Sequence, residues 1–439
     1  MTISDTQKLF KQLYNIFDPT CPLEEGSPIY VDCQAVRGDV NSVIELSRDI
    51  VLSDKRNTCQ LYTGHRGNGK STELKRLAAE LEKEGYPVIY FDVLDDGVDP
   101  EDARYTDILI ACTRCLLTRF KQTSDRPIRE WISESMQAII NLGQAGLNMA
   151  AELGGLELLT QLANHIKTVP TLRREIRRQL EPRTTTLLKV LNEFILSVQS
   201  SSPDKGLVLI ADSLDRIVPI ETENGEMNHD EIFVHRADQL KGLDCHVIYT
   251  VPISMLYFGN ANSLDLSYGQ VKVLPMIKVR EKASRDPYLP GIDALKTLLE
   301  KRIQNISPDW NLTKLFEEEQ TINELCLISG GNVRELVYLM RNSLKWASSS
   351  KLPITRKSVQ RAIAESRETY RKMIFADHWK MLAEVYEKQS MPNRDDYRKL
   401  LYNRCVLEYR QLEPDQRITT WYDVHPLIVE TEEFKRAVG

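Results

Sequence analysis

No run of apolar residues in this 439-residue sequence is long enough to span a bilayer, and no N-terminal apolar core with a cleavage site is visible. The expectation is a cytoplasmic chain with no membrane partner. Positive charge is not in excess: 57 Lys and Arg face 63 Asp and Glu, a net charge of −6. That argues against a protein that coats nucleic acid non-specifically, although a local basic face is still open to it. The eight cysteines form no framework. Cys112 and Cys115 make a lone C-x-x-C inside the helical run Asp107–Phe120, without a second pair or nearby histidines. Two thiols one helical turn apart fit this better than a zinc site, and a reduced compartment follows. No repeat with a period of roughly 20–50 residues is present, so a repeat-built trigger sensor is not expected within the chain. No Asn-Lys-x-Asp stretch is present to read a guanine base. What remains is a globular composition, 42% hydrophobic and 27% charged, in a chain long enough for two or three domains.

One stretch organises the rest. Gly64-His65-Arg66-Gly67-Asn68-Gly69-Lys70-Ser71 fits G-x-x-x-x-G-K-[ST], the phosphate-binding P-loop. Thr58–Thr63 before it is short and β-prone, and Ser71–Lys83 after it carries Leu74, Leu77, Ala78 and Leu81 at helical spacing. Strand, glycine-rich loop and helix are the parts this chemistry needs. Glycines let backbone N–H groups close on phosphate oxygens, and the helix turns its positive end towards the same anion. Lys70 is expected on the β- and γ-phosphates and Ser71 on Mg²⁺, with Thr72 next to it in the ATP-binding set. Just upstream, Val31–Asp39 carries Arg37-Gly38 ahead of a helix from Val40 to about Leu52.

The remaining core alternates strands and helices. Pro87–Val93 reads as a second strand, followed by an acidic turn (Asp95, Asp96, Asp99, Glu101, Asp102) and a helix from about Thr106 to Lys121. Counted from Asp95, the glycine position of a calcium loop holds Pro100, so a solvated turn is preferred. Residues 126–200 are helical by pattern, interrupted by Gly143, Gly146, Gly154 and Gly155 and basic at Arg173, Arg174, Arg177, Arg178 and Arg183. They form either an insertion that meets a partner or a layer over one face of the sheet. Leu207-Val208-Leu209-Ile210-Ala211-Asp212 is the continuous apolar run of a strand buried on both faces, ending in an acid. There a Walker B aspartate belongs: Asp212 is the second expected Mg²⁺ ligand, and Asp215 sits where a carboxylate can orient or deprotonate water. Asn228–Leu240 is helical, Cys245–Val251 a fourth strand ending near Thr250, and Gln270–Pro275 a fifth.

From Gly291 the pattern turns helical: Ile292–Ile306, Leu312–Ile328, then Ser329-Gly330-Gly331-Asn332-Val333-Arg334 opening a helix through Trp346. After the linker Ser348–Pro353 come helices near Arg356–Phe375, Trp379–Lys388 and Arg394–Asn403, then the hairpin-like Val406–Arg410 and Thr419–Pro426. Three helices and a hairpin describe a winged helix. Its third helix and the end of that helix carry Arg394, Arg398, Lys399 and Arg404, which could meet DNA phosphates.

In this order the P-loop, Walker B acid, Thr250 and Gly-Gly-Asn-Val-Arg resemble AAA+ and STAND-type ATPases of the P-loop ASCE division. Core, lid and winged helix are also similar to replication initiators of the origin-recognition type, and core and lid to transposition-helper ATPases. Gly64–Leu74, Tyr249–Pro252 and Trp421–Pro426 resemble stretches of uncharacterised bacterial AAA ATPases. The resemblance implies an α/β P-loop NTPase with a parallel five-stranded sheet and a helical insertion, followed by an α-helical lid and a winged-helix domain. The segments would be 1–30 as N-terminal extension, 31–280 as core with its insertion at about 126–200, 291–347 as lid and 354–439 as winged helix. It implies a magnesium-dependent ATPase, Thr250 as the residue that senses the γ-phosphate or its water, and Arg334 as a lid arginine reaching back to that phosphate. Arg37 and Gly38 would lie against the adenine. The role implied is a bacterial regulatory or defence switch acting through a protein from a neighbouring gene, with a homo-oligomer possible. The alternative is a DNA-handling initiator. Two departures stand out. Asp212 is followed by Ser213 rather than Glu, which points to slow turnover, and no arginine lies between Arg236 and Arg280 to serve as a trans-acting finger. Arg236, Arg280, Arg285 and the insertion arginines are the remaining candidates.

Overall fold

A computed structural model describes residues 3–53, 57–140, 155–168, 170–200, 205–222, 225–257, 261–347 and 352–439. Gly143, Gly146, Gly154 and the linker residues Ser348–Lys351 lie outside the described residues. Two compact units interleave along the chain: one gathers Met1–Ser42, Gly64–Glu73 and Val273–Gly439, the other Val43–Thr63 and Leu74–Lys272. The chain opens on α1 (Ile3–Ile16), in the first of these.

The second unit holds the sheet. After α2 (Ser42–Leu52) come β1 (Cys59–Thr63), α3 (Lys70–Lys83), β2 (Val88–Asp92) and α4 (Tyr105–Arg119). The helices α5 (Arg126–Ile140), α6 (Gly155–Thr168), α7 (Pro170–Leu180) and α8 (Thr184–Gln199) precede β3 (Val208–Asp212). Then follow α9 (Asn228–Asp230) and α10 (Ala237–Leu240), joined by a π-helical turn at Glu231–His235, β4 (His246–Thr250), α11 (Ala261–Tyr268) and β5 (Lys272–Val273). The five strands stand in the order β2-β3-β4-β1-β5, and β1–β4, β2–β3 and β3–β4 pair in parallel. Every residue of β3 and β4 is buried, as continuous apolar runs require when helices cover both faces. Each of Val208, Leu209 and Ile210 is fully buried, worth about 1.5–3 kcal/mol apiece.

The insertion helices pack on one another and on α4, and Ile128, Trp131, Ile132, Leu158, Leu159 and Ile176 share one core with Leu209 and Val247 of the sheet. The layer alternative describes this packing. Two of its arginines are spent inside the unit: Arg173 pairs with Asp99 and Asp102, and Arg177 with Asp102 and, at 2.6 Å, with Asp107. The acidic turn is thus the counter-charge of α7. Cys112 and Cys115 are buried on α4, and burial pushes both thiols up.

The first unit continues with α12 (Leu289–Ile306), α13 (Leu312–Leu315), α14 (Glu319–Ile328) and α15 (Val333–Trp346), the helical lid. The winged helix is α16 (Arg356–Met373), α17 (His378–Lys388), α18 (Arg398–Tyr402) and the antiparallel hairpin β6 (Val406–Leu412) and β7 (Ile418–Val424). Two short helices, α19 (Pro426–Val429) and α20 (Glu432–Val438), close the chain. The expected helix Leu312–Ile328 is broken, because Phe316 leaves it to bridge Ile354, with Glu317 donating to the Ile354 carbonyl at 3.0 Å. The expected strand Gln270–Pro275 shrinks to two residues. Beyond it the carbonyls of Leu274 and Pro275 accept from the Asn68 amide instead of a strand partner.

Candidate nucleotide-binding site

β1 delivers the chain into the P-loop, and α3 begins at Lys70. Gly64, Gly67 and Gly69 all have positive φ, which lets the loop reverse over so few residues. Lys70 Nζ donates to the carbonyls of Gly64 at 2.7 Å and His65 at 3.1 Å, holding the ammonium against its own loop. The Thr72 hydroxyl accepts from Leu23 N–H at 3.1 Å, and Glu73 accepts from the Tyr30 hydroxyl, so the first turn of α3 is anchored to the N-terminal segment.

The C-terminal half of the chain meets the same loop. Asn332 caps α15, accepting from Glu335 N–H, while its amide donates to the Arg66 carbonyl at 2.9 Å. Arg334 N–H donates to the Gly67 carbonyl at 2.9 Å. A Cβ added at Gly67 would lie 2.6 Å from the Cβ of Arg334, so glycine is needed here for closeness as well as for φ. The Arg334 side chain donates from Nε to the Pro19 carbonyl. Arg66 lies over the Tyr402 ring, 4.6 Å from its centroid, and donates to its hydroxyl. His65 is buried, and its Nε2 accepts from Glu408 N–H of β6 at 2.8 Å. Burial, then Lys70 and Arg404, lower its pKa to about 3, so the ring is neutral with its proton on Nδ1. Of these contacts, sequence could have signalled only one: histidine is an unusual filler in a loop that otherwise offers backbone.

Arg37 and Gly38, the residues expected against the adenine, are engaged within the protein. Arg37 is buried and holds Asn68, while Gly38 N–H closes its turn on Gln34 and its carbonyl accepts from Leu412 N–H at 2.9 Å.

In the other unit, Tyr62 stands abreast of Thr250 and Ala211 of Tyr249, so β1, β3 and β4 end at one level. Ligands of open α/β sheets bind outside such carboxyl ends. Asp212 Oδ2 accepts from the Tyr90 hydroxyl at 2.7 Å and Oδ1 from Ser213 N–H at 2.6 Å. Ser213 turns the chain with φ 71°, its hydroxyl donating to Asp92, and Asp215 is buried in the following turn. The Thr250 hydroxyl accepts from Leu214 N–H at 3.0 Å, which fixes that turn to the end of β4. Sequence reading missed Tyr90 and Asp92. Their signal is register, since Asp92 pairs directly with Asp212. Two carboxylates held by neutral donors at adjacent strand ends are a donor set that suits a hard cation keeping most of its waters. Among the described residues no three His, Cys, Asp or Glu groups converge as a metal cluster.

The remaining assignments fare differently. Among the finger candidates, Arg285 stacks on Tyr386 and pairs with Asp423 at 2.9 Å, Arg280 donates to the Arg285 carbonyl, and Arg236 lies over Tyr105. Of the basic residues proposed to meet DNA, Arg394 pairs with Asp396, buried Arg398 with Asp395, and Arg404 with buried Glu335. Lys399 is exposed. Among the described residues no helix is long and apolar enough to cross a membrane.

No family model matches the chain, and no curated protein matches it either. Among solved structures it is similar to the ORC2 protein of Aeropyrum pernix, in ADPNP and ADP complexes, at 12% identity and TM-score 0.44, covering 97% of this chain and 95% of that one. A Walker-type ATPase of Pyrococcus abyssi is similar at 14% identity and TM-score 0.43, covering 94% and 98%. The Aeropyrum pernix ORC1 protein in complex with DNA follows at 13% identity and TM-score 0.38, covering 90% and 91%. Likeness at this level extends to outline only.

Proposed function

We propose that this chain is an ATP-binding and ATP-hydrolysing switch of the AAA+/STAND kind that reports its nucleotide state to a partner protein through its C-terminal domain. The observation that carries this is the double use of the P-loop. Its glycines and the start of α3 suit phosphate, while the Arg66 and Gly67 carbonyls and the His65 ring are bonded to the lid and the winged-helix strand. Anything that reshapes the loop must strain or relax those bonds, and the γ-phosphate is the group that differs between ATP and ADP. Lys70 would meet the phosphates, and Ser71 and Asp212 would hold Mg²⁺, which neutralises phosphate charge. Asp215 would position water and Thr250 would sense its neighbourhood. Arg334 would have to leave the Pro19 carbonyl to touch the γ-phosphate. The effector is read as a separate protein, in keeping with a regulatory or conflict-system role. The DNA-handling alternative draws no support from Arg394, Arg398 and Arg404, whose charges are already paired.

Hydrogen–deuterium exchange across residues 406–412 tests the switch. The expected outcome is different protection with ATP and with ADP, and loss of that difference in Lys70→Ala. Equal exchange in both nucleotide-bound states would end the switch reading.

A further inference from the structure

We infer that Arg37 is a positioning residue for the phosphate-binding loop and, through its buried charge, part of what makes that loop select polyphosphate rather than base. The inference rests on the nucleotide reading above.

Arg37 is only 6% exposed. One arm of its guanidinium, Nη1, donates to Asn68 Oδ1 at 2.6 Å and to the Pro275 carbonyl, and the other, Nη2, to the Asn68 carbonyl at 2.7 Å. Asn68 is fully buried between Gly67 and Gly69, and its own amide donates to the Leu274 and Pro275 carbonyls at 3.0 and 2.8 Å. A Cβ placed on Gly69 would find Arg37 Nη2 as its neighbour, at 3.8 Å. The guanidinium therefore lies behind the crown of the loop and fixes the one residue there that is not glycine. Three of its five N–H donors are committed to this task.

The partners are all neutral. Among the described residues no carboxylate pairs with Arg37, so this buried cation is met by carbonyl dipoles alone beside a loop built for anions. Burying an unpaired charge is costly, and an incoming polyphosphate is the group that would offset it. Lysine would keep the charge but could not span Asn68 Oδ1, the Asn68 carbonyl and the Pro275 carbonyl from one rigid plane. A contact to adenine predicts something else, a loss confined to ligands that carry that base.

Binding of ATP, GTP and inorganic tripolyphosphate to the full chain separates the two. For Arg37→Met the expected result is a parallel loss of at least tenfold for all three ligands, with Arg37→Lys intermediate. Guanidinium ion added to Arg37→Ala should restore part of the tripolyphosphate affinity, a readout that general destabilisation does not produce. Should Arg37→Met fail to fold by circular dichroism, Arg37→Lys and the guanidinium rescue carry the test. A fall for ATP alone, with GTP and tripolyphosphate unchanged, overturns the inference and restores the base contact. If the unaltered chain binds none of the three, the nucleotide reading itself fails.

Discussion

His65 shows at the scale of one residue how a motif position can take on a second task. A P-loop tolerates almost any side chain at its first variable position, yet here the ring is buried and neutral, with Nε2 accepting from the β6 backbone. His425, also buried, is held well below the ordinary histidine range by burial, then by Arg404 and His65. Both folded-state pKa values lie below the unfolded value, so the unfolded chain takes up protons first as pH falls. Their contribution is constant above about pH 6.5. Below it stability falls by about 1.4 kcal/mol per pH unit for each histidine, down towards pH 3 for His65. Urea midpoints measured from pH 7 to pH 5 should therefore decline, and His65→Gln should lower the slope by about one proton. An unchanged slope would show that His65 is protonated in the fold. The glycine-rich turn into α3 was legible because its neighbours in sequence are its neighbours in space. The task of Arg37 was not, because Asn68 and Pro275 stand 31 and 238 residues away along the chain.

Elements were legible where burial is uniform. β3 and β4 announce themselves as unbroken apolar runs, and α3 by its spacing. Failures occurred where a distant segment captured the backbone, as Ile354 did at Phe316 and Asn68 at Leu274–Pro275. The basic residues of α7 left two readings open, because their counter-charges, on the turn before α4 and in its first turn, are remote in sequence. Asp107, in the first turn of α4, is buried, and burial pushes its carboxyl up against the opposing pull of Arg177. Arg177→Met should cost about 3–5 kcal/mol, since it leaves that carboxylate buried without its partner. Asp107→Asn in the same chain should recover part of the loss, as followed by thermal melting. Equal melting temperatures for Arg177→Met and the unaltered chain would mean that the pair is not closed in solution.

For the whole molecule the proposal is a slow switch. The Asp-Ser-Leu-Asp stretch that closes β3 lacks the adjacent glutamate that the resemblance leads one to expect of a fast ATPase, and Asp215 is buried in a turn fixed by Thr250. Asp215→Ala should lower turnover by about a hundredfold while leaving ATP affinity within a few-fold. Unaltered turnover would transfer the water-handling task to another group, Asp92 first. The order of core, lid and winged helix was readable from the chain; the attachment of the P-loop to the C-terminal half was not, and the reason is chemical. Most of that attachment runs through main-chain atoms: the carbonyls of Arg66 and Gly67, and the N–H groups of Arg334 and Glu408. Main-chain partners do not change when residues are substituted. Across evolution the two halves can therefore drift apart in sequence while staying joined, and covariation between them should be nearly silent. Positions 65, 66, 332 and 402, whose side chains make their part of the attachment, are where heredity would keep a record, position 65 restricted to side chains that can accept a hydrogen bond, while substitutions at position 408 leave the donated N–H in place unless proline arrives.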